Sequence, residues 1–370
     1  MKKILLLLSG ISQTGGIEKY TQNFLEAALL ADNHFSGNVI VMNDKEPPNI
    51  PGIERMKFFC CGSKYRFLRK IKFVLFFIYI IIIRRPSFIL SNHIGLLRLY
   101  CFMRPFLRIN YGLMVYGVDV YNLSLICKKI FENSKFVTSI SSYTSSKLLE
   151  QVDVKEKIRL IPPLVDGSEF FPKQREERLL RKYKLKGQKV LLTVCRLSSI
   201  EGGKGNDKVI ESLPIITKHF PDIKYLIAGE GDDSQRLKDI VSKYGVEDNV
   251  VFCGFVSQQE LIDYYNMCDL YIMPSIQEGF GIVFIEALAC GKPVIAGNRD
   301  GSVDALLNGK IGTLVDPHNV EAIARSVIDL LKGNGNGDTL NKGLLREQVL
   351  KTYGKEQFNN RVKALLLELS

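Results

Sequence analysis

The sequence predicts an α/β protein made of two domains, each built on a parallel sheet, and three observations predict it. Short apolar runs alternate along the whole chain with stretches whose apolar spacing is helical, the pattern of strands joined by crossover helices. Glycine clusters follow several of the runs, where a strand would turn into a helix. The chain has 370 residues, which suits two domains that each bury a core.

The elements follow in order. Lys3 to Leu8 reads as the first strand. The apolar core of this start is only Ile4 to Leu8, and a glycine loop follows instead of a cleavage site, so it is not read as a signal peptide. Ser9 to Glu18 leads into a helix over Ile17 to Leu30, with Gly15-Gly16 at its start as an anion nest or a plain tight turn. Gly37 to Met42 is the second strand, and Pro47-Pro48 with Pro51-Gly52 a loop. Ser87 to Leu90 is a strand ending at Ser91-Asn92-His93. Met114 to Asp119 is another strand end, which makes His93, Tyr116 and Asp119 candidate cleft residues, because α/β proteins bind ligands beyond the carboxyl ends of strands. A lone histidine is more often structural. The charged stretch from Lys173 to Lys186 is read as an interdomain connection.

The second half is cleaner. Strands at Val190–Val194, Ile223–Ala228, Val250–Phe252, Leu270–Met273, Ile295–Asn298 and Ile311–Val315 alternate with helices at Asp207–His219, through Tyr244, and at Gln258–Met267. Gly333 to Gly337 reads as a flexible break before a final helix, Lys355 to Leu369.

Composition and charge exclude several classes. With 46% hydrophobic and 24% charged residues the chain is neither disordered nor a membrane bundle. Its eight cysteines form no C-x-x-C pair and sit mostly in apolar runs, which favours free buried thiols over a disulfide or zinc framework. Residues 1–186 hold 30 Lys and Arg against 15 Asp and Glu, the remainder 20 against 24. From Arg55 to Arg108 there are 12 basic residues and no acidic one. Within that span the apolar run Ile71 to Ile83 lies between Arg66, Arg69 and Lys70 on one side and Arg84 and Arg85 on the other. It falls short of the about 20 residues that cross a bilayer. It is either a core helix with solvated basic ends or an interfacial helix, and basic flanks beside aromatics favour contact with an anionic membrane surface. No nucleic-acid motif accompanies the basic half, and no nucleic acid partner is expected.

The chemistry concentrates at Pro274 to Ile295. A buried strand, a glycine loop (Glu278-Gly279-Phe280-Gly281) and a helix beginning at Ile282-Val283 point backbone N–H groups and a helix dipole at one spot, where a diphosphate can sit. Two carboxylates, Glu278 and Glu286, would repel that phosphate unless they bind sugar hydroxyls. Glu278 is therefore read as a hexose ligand and Glu286 as a ribose ligand, against the plain alternative of surface glutamates on a half-exposed helix. Arg196 directly after a strand, with Lys204 in Glu201-Gly202-Gly203-Lys204-Gly205, can clamp a diphosphate and stabilise its departure.

The run E-G-F-G-I-V-x-x-E-A-x-A-C-G-K-P-V resembles the signature of the family-four retaining glycosyltransferases (glycosyl transferases group 1), whose fold is GT-B, two Rossmann-like domains facing a cleft. The resemblance implies domains at 1–186 (acceptor side, membrane-facing) and 187–352 (donor side), with 353–370 crossing back. It implies transfer of a hexose from a UDP- or GDP-sugar to a saccharide or lipid-linked acceptor, with retention. Site roles carry over to Gly15, Gly16 and Glu18 near the donor phosphates and acceptor, to Gly229, Gly231 and Gly254 near the base, and to Arg196, Lys204, Glu278, Gly279, Phe280, Gly281, Ile282, Val283 and Glu286 at the donor. Three departures stand out: Cys195 where glycine is common, a longer loop before Lys204, and Tyr116 where many members carry a histidine that faces the sugar. No D-x-D triplet occurs, so neither a metal nor a cofactor is expected. Location at the inner face of the cytoplasmic membrane, as a peripheral protein, follows from the basic, apolar first half. The rivals are an epimerase or phosphorylase on the same architecture, which leaves that half unexplained, and a catalytically silent, membrane-associated partner of another transferase.

Overall fold

A computed structural model describes residues 3–12, 15–33, 35–199, 203–334 and 341–369. It divides into two units, Met1–Leu164 with Glu356–Ser370, and Val165–Lys355. The first unit contains β1 (Lys3–Leu8), α1 (Gly16–Ala31), β2 (Ser36–Val41), β3 (Met56–Cys60), α2 (Arg66–Tyr79), β4 (Phe88–Ser91), α3 (Ile94–Leu107), β5 (Asn110–Val115), α4 (Leu125–Glu132), β6 (Phe136–Ser139), α5 (Ser142–Leu149) and β7 (Ile158–Leu160). Its seven strands are all parallel, in the order β3-β2-β1-β4-β5-β6-β7. The order reverses between β1 and β4, because α2 carries the chain from the β3 edge back past β1. Such a reversal opens a crevice at the strand ends.

In the first unit, strand β3 and helices α3 and α4 have no counterpart in the sequence reading. β3 is a half-buried edge strand with Lys57 inside it, and α3 carries Pro105, so neither shows a clean period.

The apolar run around residues 71–83 becomes α2 and a π-helical turn, Ile80–Arg84. Phe73, Phe77, Ile80 and Ile81 face inward and join Leu5, Ile89, Leu113 and Val137 of the sheet in one core. Phe67, Ile71, Val74, Leu75, Ile78 and Ile82 recur at helical spacing on the opposite side, and Leu75 is 61% exposed. The helix is thus apolar on two faces and covered within its unit on one. Among the described residues, no helix is long and apolar enough to cross a membrane.

The second unit contains α6 (Glu177–Lys182), β8 (Val190–Val194), α7 (Asn206–Ile216), β9 (Lys224–Ala228), α8 (Ser234–Tyr244), β10 (Val250–Gly254), α9 (Gln258–Met267), β11 (Leu270–Met273), α10 (Ile282–Ala289), β12 (Val294–Gly297), α11 (Ser302–Ala305), β13 (Thr313–Val315), α12 (Val320–Leu331) and α13 (Lys342–Tyr353). Its six parallel strands run β10-β9-β8-β11-β12-β13, with the reversal between β8 and β11. Both units are therefore Rossmann-like. The final helix, α14 (Lys355–Leu369), packs in the first unit through Phe358 against Tyr20 and Glu368 against Arg159.

The division between the units falls after Leu164, where the sequence reading put it after Lys186. Residues 165–186 pack inside the second unit: Leu179 is buried, Arg175 pairs with Asp269 at 2.8 Å, and the Tyr183 and Tyr264 hydroxyls meet at 2.6 Å. Charge made this stretch look like a solvated linker, but Lys173, Arg175 and Arg178 pair with Asp263, Asp269 and Glu260 of the second unit. The flexible break expected at Gly333–Gly337 lies outside the described residues from Gly335 onward, as do Glu201 and Gly202 of the glycine loop.

Arg346 on α13 donates from Nη1 to the carbonyls of Phe170 and Ala289, 2.6 Å each, and from Nη2 to that of Gly167 at 2.8 Å. Two backbone segments of the second unit, 167–170 and the end of α10, meet at one guanidinium. Arg346→Ala is expected to destabilise the second unit by about 2–3 kcal/mol, read from its denaturant midpoint. A change within about 0.5 kcal/mol, the range of ordinary surface substitutions, would overturn that role.

Candidate functional site

The crevice of the second unit lies where β8 and β11 part, and the loops after these two strands carry the strongest candidates. They approach closely. Ile276 N donates to Gly203 O at 2.8 Å, and Lys204 Nζ meets Glu278 Oε2 at 2.8 Å. Glycine is required on the first loop for two reasons. Gly203 and Gly205 have φ of +100° and +80°, and a Cβ on Gly205 would lie 2.3 Å from the Pro274 carbonyl.

Glu278 is held from several sides. Its Oε1 accepts from Gly279 N at 3.1 Å, and its carbonyl accepts from Gly301 N at 2.8 Å. Beneath it, the buried Asp300 carboxylate accepts from Ser275 Oγ (2.7 Å) and from Ser302 N (2.9 Å). Burial pushes the Asp300 carboxyl up, these hydrogen bonds pull it down, and the nearby Glu278 charge raises it again. Gly301 has no space for a side chain, since a Cβ there would lie 2.1 Å from Gly279 O. The loop after β12 therefore clamps the one after β11. Sequence reading missed Asp300 and Ser275; an Asp-Gly-Ser turn directly after a buried strand was the available signal.

Gly281 precedes α10 with φ +85°, its missing side chain leaving room for the Phe284 ring. Ile282 and Val283 begin the helix, whose first turn carries no acidic residue of its own. Phe280 is fully buried and meets Tyr353 edge-on at 5.2 Å, so its ring anchors the loop instead of lining an open site. Glu286 is 7% exposed, and its Oε2 accepts from the Tyr265 hydroxyl at 2.7 Å. Tyr265 is a second residue that sequence reading missed, hidden as one of two adjacent tyrosines in α9.

Arg196 follows β8 and is exposed. Its loop is zipped to the one after β9. Cys195 N donates to Ala228 O and Leu197 N to Glu230 O, while a Cβ on Gly229 or Gly231 would come within 1.8 Å of the Cys195 or Leu197 carbonyl. Gly229 N in turn donates to Gly254 O at 2.8 Å, and Phe255 N to Glu230 Oε1 at 3.0 Å. Thus Arg196, Lys204, Gly229, Gly231, Gly254, Glu278 and Gly281 gather at the carboxyl ends of neighbouring strands. A lysine and an exposed arginine supply positive charge, the start of α10 supplies N–H donors, and two carboxylates supply acceptors. Diphosphate and sugar hydroxyls match that set.

The remaining candidates lie in the first unit. A Cβ on Gly15 would lie 2.3 Å from Glu18 Oε2, so Glu18 folds back over the start of α1. Tyr116 packs edge-on against Tyr20 at 5.4 Å. Burial raises the Tyr116 hydroxyl well above its ordinary range, and Tyr20, Asp119 and Glu18 add to this. Asp119 Oδ1 accepts from the N–H groups of Tyr116 and Gly117, 2.9 Å each, and burial pushes the Asp119 carboxyl up to about 6. It shapes the strand end. His93 caps α3, its Nδ1 accepting from Gly95 N at 3.0 Å, which is a structural task. Asp44, missed from sequence, accepts from the N–H groups of Ile11 (2.7 Å) and Ser12 (2.9 Å) and fixes the loop before Gly15.

The approach of the two loops in the second unit gives a direct test. Gly205→Ala is expected to cost about 1–3 kcal/mol through its left-handed backbone and the Pro274 clash, and to weaken nucleotide binding in parallel. An alanine variant with unchanged stability and binding would show that the approach is dispensable.

Comparison with known proteins agrees with this geometry. Residues 175–345 match the family model of glycosyl transferases group 1. A GDP-mannose-dependent alpha-(1-6)-phosphatidylinositol monomannoside mannosyltransferase of Mycolicibacterium smegmatis is 35% identical over 212 residues, 55% of each chain. The chain thus spans about half the length of the curated relatives it matches. Among solved structures, a sucrose-phosphate synthase from Thermosynechococcus elongatus superimposes with TM-score 0.77 at 22% identity, covering 100% of this chain and 99% of that one. Anabaena HepE in complex with UDP does so with TM-score 0.76 at 16% identity, covering 99% and 100%. The match to glycosyl transferases group 1 thus falls on the second unit, and the fold of the chain is the GT-B fold of these solved glycosyltransferases.

Proposed function

We propose that the protein is a retaining glycosyltransferase that moves a hexose from a nucleoside-diphosphate sugar to an acceptor hydroxyl, without a metal. The observation that carries this is the Lys204–Glu278 pair at the reversal of strand order, beside the start of α10. The lysine answers the carboxylate's charge. An arriving diphosphate offers Lys204 a stronger partner, together with Arg196 and the α10 N-terminus, and frees Glu278 to accept from hexose hydroxyls. The C1–O bond to the diphosphate breaks, C1 bonds to the acceptor oxygen, and the acceptor proton passes to the leaving phosphate. Glu278 orients the sugar and forms no covalent adduct. Relatives named as GDP-mannose-dependent mannosyltransferases make GDP-mannose the first donor to try, and UDP-sugars follow. Their phosphatidylinositol mannoside acceptors, with the outer face of α2, support a lipid-linked saccharide acceptor in glycolipid or polysaccharide assembly, reached by a peripheral protein at the inner face of the cytoplasmic membrane.

A silent, donor-binding partner of another transferase is the second reading, favoured by Tyr116 standing where many family members carry a histidine. Turnover separates the two. The purified protein is expected to hydrolyse one sugar of a UDP and GDP panel slowly, and Glu278→Ala to lose at least about a hundredfold of that rate. Glu286→Ala is expected to raise the donor KM far more than Arg196→Ala, whose larger effect falls on kcat. Equal KM effects would count against the ribose role, and absence of turnover with and without acceptor would favour the silent partner.

The membrane part has its own test. The uncovered face of α2, with Arg66, Lys70 and Lys72 on the same helix and no acid between Arg55 and Arg108, matches the requirements of an in-plane interfacial helix. The protein is expected to sediment with phosphatidylglycerol vesicles at low salt and to be released at high salt. Leu75→Glu with Ile82→Glu should abolish sedimentation while donor hydrolysis persists. Wild-type protein left wholly in the supernatant would remove the membrane from this proposal.

A further inference from the structure

Glu286 is a nearly buried carboxylate on α10, and a carboxylate in such a place binds a ligand hydroxyl well only if its plane is fixed in advance. The structure supplies a fixing group. The Tyr265 hydroxyl, itself fully buried, lies 2.7 Å from Glu286 Oε2.

The tyrosine is in turn immobilised from both ends. Its ring meets Phe170 at 5.8 Å and 72°, and Tyr271 at 5.8 Å. The end of α9 just beyond it is pinned by Lys292, whose Nζ donates to the carbonyls of Asn266 (2.8 Å) and Cys268 (2.9 Å). The Asn266 side chain donates to Phe171 O at 3.0 Å and accepts from Lys173 N at 2.8 Å. Burial first, and then the Glu286 charge, raise the Tyr265 hydroxyl well above its ordinary range, so it stays protonated and donates to the carboxylate. A hydrogen bond to an ionised acceptor is among the stronger kinds and takes one of the carboxylate's lone-pair directions.

We infer that Tyr265 is a positioning residue for nucleotide recognition, fixing the Glu286 carboxylate in the orientation that accepts from the ribose hydroxyls of the donor. This rests on the donor reading above, in which Glu286 is the ribose ligand. Tyr265 does not touch the nucleotide; it acts through Glu286. Its role is to turn a flexible glutamate into a preorganised acceptor, so that less order has to be imposed when the donor arrives.

The test measures binding of GDP, UDP and their 2′,3′-dideoxy counterparts to the full-length chain by calorimetry. Wild type is expected to prefer the ribose form, and Glu286→Gln to lose that preference. Tyr265→Phe should lose about fivefold to tenfold of it, the scale of one charge-assisted hydrogen bond. Tyr264→Phe, which removes a neighbouring hydroxyl bonded only to Tyr183 among the contacts seen, should leave the preference intact. The double variant Tyr265→Phe with Glu286→Gln should be no worse than Glu286→Gln alone, because both act at one contact. If Tyr265→Phe keeps the full preference while Glu286→Gln loses it, the inference fails and the donor reading stands. If wild type shows no preference, or Glu286→Gln keeps it, the ribose assignment itself fails. Should Tyr265→Phe not fold, para-fluorophenylalanine at 265 preserves volume while removing the donor, and the same outcomes apply.

Discussion

The candidate site depends on how closely the backbones of two loops can come together. At the carboxyl end of the second sheet, the loop after β8 and the loop after β11 stand within hydrogen-bonding distance, and a glycine without a Cβ at 205 is what admits the Pro274 carbonyl. Parallel sheets with one reversal of strand order leave a crevice there, and backbone N–H groups at that crevice are costly to bury without partners. The structure answers that cost by tying each loop to its neighbour: Cys195 and Leu197 to the turn at 228–231, that turn to Gly254, Gly203 to Ile276, and Gly301 to Glu278. Charged side chains are then displayed from a rigid rim instead of from flexible loops, which is how a site keeps its geometry before a ligand arrives.

Rigidity reaches the acidic groups by different routes. Glu278 is half-buried, and its charge is answered by Lys204, so it can exchange partners without crossing a large desolvation barrier. Glu286 is deeper and bonded to an uncharged donor that stays where it is. Asp300 is deeper still, with serine hydroxyl and backbone donors, and serves only to brace the loop above it. The three carboxylates thus descend from exchangeable to fixed as burial increases, the order expected when buried charges must be hydrogen-bonded wherever they stand.

The first unit shows the reverse economy of surface. A helix apolar on both faces and covered on one leaves the other face exposed, about 25 cal/mol for each Å² in contact with water. Phe106 at the end of α3, 89% exposed, adds to that cost on the same face of the sheet as α2. Basic residues at the helix ends, and the absence of acids between Arg55 and Arg108, set the sign of the surface around it.

The sequence alone determined the two-sheet architecture, because parallel strands buried on both faces read as unbroken apolar runs and their crossovers as helical periods. It also singled out the glycines, Arg196, Lys204, Glu278 and Glu286 as candidates, since loop chemistry at a strand end is local and leaves a local signature. Period failed at β3 and α3, an edge strand and a proline-bearing helix, where the pattern itself is weak. Charge misled at residues 173–186, where partners far along the chain turn an expected linker into packed structure. Only the tertiary structure decided that Lys204 pairs with Glu278, that Asp300 braces the same loop, that Phe280 is an anchor, that His93 is a cap, and that Tyr265 backs Glu286. Each of those contacts joins residues whose roles depend on a neighbour from another element, or on the direction a side chain takes once packed, and neither is written in the spacing of residues along the chain.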